Sequence, residues 1–356
     1  MYEHHYLLSD FDFDLPERLL AVEPLAHRDE SRLMLVHKNS GLIEHRMFKD
    51  LPFILHRGDC MVFNDTKVIP ARLQVRKSSI TAGALLDVLL ISPVVDRPNT
   101  WAMLLDPLRK VKVGTPLIFG DNSLRGHIVK LKGEKEVWVE FSRNIEPEAL
   151  KRQLFALGAA PLPPYLKKAW ANVSLERYQT VYAKQEGALA APTAGLHFTE
   201  TMFESLAQAG IGRNSLTLHV GLGTFDPLYH ENFKDSKLHK EWFELDAATA
   251  SNIDATVNLG ATVVAVGTTT MRALESSVGI SGRVEAGSGY TDIFIQPGYQ
   301  FQSAHGLFTN FHTPRSTLLI MIAAFMGYDL MREAYAKAIE EEYRFYSFGD
   351  AMLIIP

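Results

Sequence analysis

The chain has 356 residues, 47% hydrophobic and 22% charged, with a formal net charge of −5. That length suits two domains with a large core, and the charge balance excludes a disordered tail and a uniformly basic nucleic-acid binder. Its one cysteine, Cys60 in the apolar stretch "DCMVFND", excludes an intramolecular disulfide and a multi-cysteine zinc site, and fits a buried thiol in a reducing cytoplasm.

The opening stretch "MYEHHYLLSDFDFD" lacks the basic segment and apolar core of a secretory signal. "DLPERLLAVEP" reads as a short helix starting near Pro16 and closing at Pro24. "SRLMLVHKNSGLIEHRMF" reads as two strands around an Asn39–Ser40–Gly41 turn. From Thr66 onward short alternating runs recur: "VIPARLQVRK", "ALLDVLLISPV", "TWAMLLDPL", "TPLIFGD", "LRGHIVKLKG" and "EVWVEFS". Turn residues punctuate them, which predicts a small antiparallel sheet or barrel. Residues 66–133 hold eleven Lys and Arg against four Asp and Glu, +7, leaving −12 for the rest. Such a basic module is either a phosphate-facing surface or an ordinary solvated sheet face.

Beyond Pro161 strands and helices alternate. "RYQTVYAK" reads as helix and "GALAAP" as strand. "TMFESLAQAG" reads as a helix with a capping box from Thr201 to Glu204 and a stop at Gly210. "SLTLHVG" is a strand, "ASNIDATVNLG" a helix, "ATVVAVG" a buried strand, "TTTMRALESS" a helix and "TDIFIQPG" a strand. "PRSTLLIMIAAFMG" is a buried helix opening on Pro314, too short to span a bilayer. "MREAYAKAIEEEYRF" is an amphipathic helix and "DAMLII" a last strand. The expected fold is a mixed α/β main domain, residues 1–65 plus 151–356, with an inserted antiparallel β-barrel at 66–150.

Four loops after strands could carry chemistry. "APTAGLHFTE" holds Pro192, Thr193, Gly195 and His197 and has no nucleophile elbow. "LHVGLGTFDP" holds His219, Gly221 and Gly223, without the third glycine of a dinucleotide fingerprint. "VAVGTTTMRALES" breaks at Gly267, and Thr268 and Thr269 open a helix whose free amides favour an anion. Arg272 and Glu275, one helical turn apart, could pair with each other or with a ligand. "TNFHTPRSTL" holds Asn310 and His312. No histidine pair has metal spacing, so no metal is expected. These features fit an enzyme acting on a small polar ligand, and they fit an RNA-binding module as well.

At these loops the sequence resembles the S-adenosylmethionine:tRNA ribosyltransferase-isomerases of queuosine synthesis. The resemblance rests on "VFNDTKVIPARL", "PLPPYL", "RYQTVYA", "GALAAPTAGLHF", "LHVGLGTF", "AVGTTTMRALES", "TDIFIQPGYQF", "LFTNFHTPRSTLL" and "YRFYSFGDAMLI", in family order from about residue 10 to the C-terminus. Asp65 and Lys67 stand where that family has Asn and Arg, and Leu222, Thr313 and Arg315 also depart from its pattern. The resemblance implies an α/β domain with an inserted barrel, a monomer, no metal and no cofactor. It implies S-adenosylmethionine as a consumed co-substrate, its ribosyl part moved onto 7-aminomethyl-7-deazaguanine in a tRNA anticodon loop. The products are epoxyqueuosine-tRNA, adenine and methionine. The other readings are a related S-adenosylmethionine-dependent transferase with another acceptor and a catalytically silent RNA-binding protein.

That chemistry needs general acid–base groups near neutrality, for which histidine is suited. His197 is the first expectation for proton transfer, with His219 and His312 beside it. Arg272 or the helix start at Thr268 would hold the methionine carboxylate, and Glu275 or Asp350 would balance the sulfonium. Gly195 would let backbone approach the ligand. Arg76, Lys77, Arg109, Lys110 and Lys112 would hold tRNA phosphates.

Overall fold

"RLMLVH" forms β1 (Arg32–His37), and the Asn39–Gly41 turn folds it antiparallel onto β2 (Leu42–Met47), with Arg32 opposite Met47. This is a computed structural model, and it describes residues 6–77, 85–121, 123–133, 135–162, 174–221, 230–234 and 236–356, with Lys110 described in its backbone alone. The one-turn helix α1 (Leu51–Ile54) leads to β3 (Cys60–Asn64), buried throughout, and the short β4 (Thr66–Val68) follows. Then come β5 (Arg72–Lys77), β6 (Leu85–Pro93), β7 (Thr100–Asp106), β8 (Pro116–Phe119), β9 (Leu124–Lys132), β10 (Glu136–Phe141) and helix α2 (Pro147–Leu157). The remainder holds β11 (Gln185–Ala188), α3 (Glu200–Gln208), β12 (Gly212–Leu218), β13 (Glu241–Leu245), α4 (Ala247–Asn258) and β14 (Val263–Val266). It closes with α5 (Thr268–Ser276), β15 (Gly287–Thr291), β16 (Gly306–Asn310), α6 (Thr317–Met326), α7 (Tyr328–Glu340) and β17 (Ala351–Ile355).

Contacts divide the described residues into two units, 6–67 with 176–356 and 68–162 with 174–175. The first is built on a nine-stranded sheet in the order β15-β13-β12-β3-β14-β16-β17-β1-β2. β12, β3, β14 and β16 run parallel, β17 returns antiparallel to β16, and β1 runs parallel to β17. β3, β14 and β16 are buried at every residue, as strands covered on both faces must be. Phe48, Phe63, Phe198, Phe203 and Phe308 form an aromatic centre in this core, with Phe63 edge-on to Phe198 at 4.9 Å.

The second unit is a closed barrel in the order β10-β7-β6-β5-β8-β9, with antiparallel neighbours. Period-two alternation sends Leu73, Val75, Val88 and Phe119 inward and leaves Gln74, Arg76 and Arg125 exposed.

Several local readings change. "RYQTVYAK" is turns and not helix, because Arg28 donates to the carbonyls of Gln179 at 2.7 Å and Glu176 at 3.0 Å, which a helix would use internally. "DLPERLLAVEP" contributes a 3-10 turn, Glu17–Leu19, and a single parallel bridge from Leu20 to Phe345. The cap of α3 is Thr199, whose hydroxyl accepts from the Met202 amide at 3.1 Å, so the helix starts ahead of the box expected at Thr201. "TDIFIQPG" stops being strand after Thr291, where the Ile293 carbonyl accepts from Arg272 Nε at 3.2 Å. β13 and α2 carry no element reading in the sequence.

Candidate functional site

The parallel strands β12, β3, β14 and β16 end at one edge of the sheet, where α/β sheets place ligands. A cleft of about 380 Å³ opens there, within the size range of small-molecule sites. Its walls are Ala191–Ala194, Val220, Gly267–Thr269, the run Thr309–Leu318 from the end of β16 to the start of α6, and Tyr346 with Ser347.

Backbone polarity sets the character of this cleft. Gly267 precedes α5 at φ 95°, and among the described residues no side chain caps that helix, so the amides of its first turn, which have no intrahelical partners, keep no side-chain partner either. α6 begins beside the cleft behind Ser316, whose hydroxyl accepts from the Leu319 amide at 3.2 Å. The 3-10 turn Thr193–His197 also starts there. Three helical starts therefore converge, each carrying partial positive charge. No Asp or Glu stands among the described lining residues. Among the described lining residues Arg315 is the one with a formal charge, and it pairs with Glu231 at 3.0 Å and Asp12 at 3.6 Å. Arg315 (φ 57°) and Tyr346 (φ 75°) both hold left-handed backbone. Bulky residues adopt that region at a cost of about 1–3 kcal/mol, a strain that clusters at ligand sites. The Tyr346 turn is closed by its amide on the Phe311 carbonyl at 3.0 Å and by the Gly349 amide on its own carbonyl at 3.0 Å.

The three histidines occupy different places. His312 lines the cleft, with Nε2 at 2.8 Å from the Thr309 hydroxyl and Nδ1 without a partner among the described residues. Burial pushes its imidazole below the usual histidine range. His197 lies behind the cleft wall, buried between Ser31, 2.8 Å from Nδ1, and Asn310, 3.1 Å from Nε2. Burial, then the guanidiniums of Arg344 and Arg28, push it down to about 3. His219 sits at the end of β12, stacked on Trp242 at 5.0 Å and bonded through Nδ1 to the Thr66 hydroxyl at 2.8 Å. Burial lowers its pKa and the Asp65 carboxylate opposes that shift.

Pro192, Thr193, Thr268, Thr269, Asn310 and His312 thus meet in one cleft. The other expected residues of this unit that the structure describes are not among its lining. The face of Gly195 where a side chain would stand is filled by Tyr182, whose Oη would lie 1.9 Å from an added Cβ. Arg272 and Glu275 do not pair with each other. Arg272 is buried against the Glu241 carboxylate, which also accepts from the Gly221 amide at 2.8 Å. Glu275 accepts from the Tyr299 hydroxyl at 3.0 Å, the Ser303 hydroxyl at 2.6 Å and the amides of Gln302 and Ser303, tying α5 to that loop. Asp350 caps the entry to β17, accepting from the amides of Arg32 at 2.9 Å and Arg344 at 2.8 Å. Gly223 lies outside the described residues.

On the barrel, Arg76, Arg109 and Lys112 are exposed, Lys77 is half-buried, and Lys110 closes the turn Leu108–Lys110. Strand register aligns Arg76 with Ile118 and Ile118 with Arg125. His127 follows on the same face of β9. Acidic Asp87, Asp106, Glu136 and Glu140 stand instead on the outer faces of β6, β7 and β10.

Sequence reasoning missed Ser31, Thr309, Arg315, Tyr346 and Arg125. "YRFYSFGD" drew notice for Asp350, yet its Tyr346 lines the cleft. Among the described residues no three His, Cys, Asp or Glu side chains gather as a metal site, and no helix is long and apolar enough to cross a membrane.

A family model described as "Queuosine biosynthesis protein" matches residues 8–354. The S-adenosylmethionine:tRNA ribosyltransferase-isomerase of Desulforamulus reducens is 46% identical over 348 residues, covering 98% of this chain and 99% of that protein. The protein of the same name from Moorella thermoacetica is 47% identical over 349 residues, with the same coverage. The crystal structure of the S-adenosylmethionine tRNA ribosyltransferase of Thermotoga maritima, 35% identical, superimposes with a TM-score of 0.55 over 97% of this chain and all of that one. A match along nearly the whole chain, with relatives at this identity, makes this protein a member of the queuosine biosynthesis family.

Proposed function

We propose that this chain is an S-adenosylmethionine:tRNA ribosyltransferase-isomerase and that its reaction runs in the cleft at the ends of β12, β3, β14 and β16. The observation that carries the reading is the convergence of three helical starts on a cleft with no carboxylate among its described lining residues. The uncapped start of α5 holds the methionine carboxylate. The sulfonium acidifies the adjacent ribose C5′, and the surrounding positive field stabilises the carbanion left when that proton departs. His312 is the group proposed to take the proton, since its neutral imidazole lines the cleft with Nδ1 unpaired among the described residues, although burial makes it a weaker base than a free imidazole. Ring opening and loss of adenine follow. The neutral amine of 7-aminomethyl-7-deazaguanine adds to C4′ of the opened, unsaturated sulfonium, the C5′ carbanion so formed attacks the C1′ aldehyde to close a cyclopentane, and the resulting alkoxide displaces methionine from C5′ and closes the epoxide of epoxyqueuosine. Arg272, Glu275 and Asp350 act as scaffold, because each is committed to a protein partner.

The acceptor base reaches the cleft from a tRNA anticodon loop, where bases splay out of the helical stack. The face carrying Arg76, Arg125 and His127 is the proposed holder of its phosphates.

The test mixes enzyme, S-adenosylmethionine and tRNA bearing the aminomethyl base, then follows adenine and nucleoside mass. Adenine with epoxyqueuosine is expected, and His312→Ala should slow turnover by about 10²–10⁴-fold. Adenine without that nucleoside points to another acceptor, and tRNA binding without adenine points to a silent binder. Because burial lowers the pKa of His312, the acid limb of kcat/KM should fall below pH 6.5, where the base becomes protonated.

A further inference from the structure

One hydrogen-bonded line runs from the start of β1 to the cleft through four side chains. Ser31 Oγ lies 2.8 Å from His197 Nδ1, Asn310 Nδ2 lies 3.1 Å from His197 Nε2, and the Thr193 hydroxyl donates to Asn310 Oδ1 at 3.3 Å. Ser31, His197 and Asn310 are at most 5% exposed, while Thr193 and Asn310 line the cleft. The rings of Phe48 and Phe308 flank the imidazole, each at 5.7 Å.

The direction of this line follows from Asn310. An amide nitrogen only donates and an amide oxygen only accepts. With Nδ2 toward His197, Nε2 must accept, so the ring proton resides on Nδ1 and is donated to Ser31. A protonated imidazole would set N–H against N–H and break the line. Burial and the nearby guanidiniums of Arg344 and Arg28 keep the ring neutral. Both ring nitrogens are then occupied, and neither is left to take a proton from a ligand.

We propose that His197 is a positioning residue whose Nε2 accepts from the Asn310 amide and keeps that nitrogen turned toward the ring, so that the cleft presents Asn310's second N–H and the Thr193 hydroxyl to a hydroxyl-bearing nucleoside ligand. Reversing the amide would exchange a donor for an acceptor at that point, and a ribose diol or a nucleobase edge set for one pattern would lose the other. The inference rests on the reading of this cleft as the site where S-adenosylmethionine reacts.

Two variants and one spectrum test it. In His197→Gln a side-chain amide oxygen can accept from Asn310 Nδ2, whereas His197→Phe offers no acceptor. The expected result is kcat/KM for S-adenosylmethionine within about 10-fold of wild type in His197→Gln and at least about 100-fold lower in His197→Phe, with KM raised. The acid limb of the pH profile should stay in place in His197→Gln. Wild-type kinetics in His197→Phe, equal loss in both folded variants, or disappearance of the acid limb in His197→Gln would overturn the proposal. Ring ¹⁵N shifts of wild-type protein should show a neutral His197 protonated on Nδ1 at pH 7, and a proton on Nε2 would overturn it even where a variant fails to fold. The spectrum needs no turnover. A wild-type enzyme that releases no adenine therefore sinks the reading of the cleft, while the tautomer of His197 is settled independently by the ring shifts.

Discussion

His197 and His312 are both held below the usual histidine range by burial, and they differ in what remains open. His312 keeps one ring nitrogen without a partner among the described residues on the cleft wall, while both nitrogens of His197 are spent on Ser31 and Asn310. The depressed His197 has a consequence for folding. Between about 3 and the unperturbed 6.5, the unfolded chain binds a proton there and the folded protein does not. Stability therefore rises with pH across that window, is fully present above 6.5, and is lost as pH falls. His197→Gln removes that proton, so its stability should decline less steeply from pH 6.5 to 4.5, by up to about 1.4 kcal/mol per pH unit. Urea unfolding of both proteins across that range measures it, and parallel curves would contradict the assignment. The sequence pointed to His197 through its loop, but which histidine keeps a free nitrogen depends on Ser31 and Asn310, which are 166 and 113 residues away.

The turn Thr193–His197 shows how an element is held by a distant neighbour. Tyr182 occupies the space a side chain at Gly195 would need. Gly195→Ala should destabilise by about 1–3 kcal/mol through overpacking, and Tyr182→Phe in the same chain should recover part of that loss. Thermal melts of the single and double variants decide it, and an additive loss would show that the hydroxyl is not the obstacle. Elements whose signal is local were legible in the sequence. The hairpin of β1 and β2, the buried strand β14 and the apolar helix α6 follow from periodicity and turn residues. "RYQTVYAK" was not legible, because Arg28 takes its carbonyls from outside. The start of α3 moved because Thr199, in extended backbone, reaches the Met202 amide before Thr201 can act as cap.

Across the whole molecule, charge and sheet register combine into a polar barrel. The +7 excess of residues 66–133 becomes directional only when β5, β8 and β9 bring Arg76 and Arg125 into one row. Charge reversal of both, Arg76→Glu with Arg125→Glu, should weaken tRNA binding at least about 10-fold and flatten its salt dependence by about two phosphate contacts. Filter binding at several salt concentrations tests this, and an unchanged slope would move the RNA surface elsewhere. The six barrel strands, most strands and helices of the large sheet and the loops that follow Ala190, Val266 and Asn310 were readable in the sequence by itself, since periodicity and turn chemistry are properties of neighbours along the chain. Tertiary structure alone decided which loops share a cleft, which glycine clears a tyrosine and which histidine keeps a nitrogen unpaired among the described residues. Those outcomes depend on residues far apart in sequence meeting at the ends of parallel strands, and no local pattern records such a meeting.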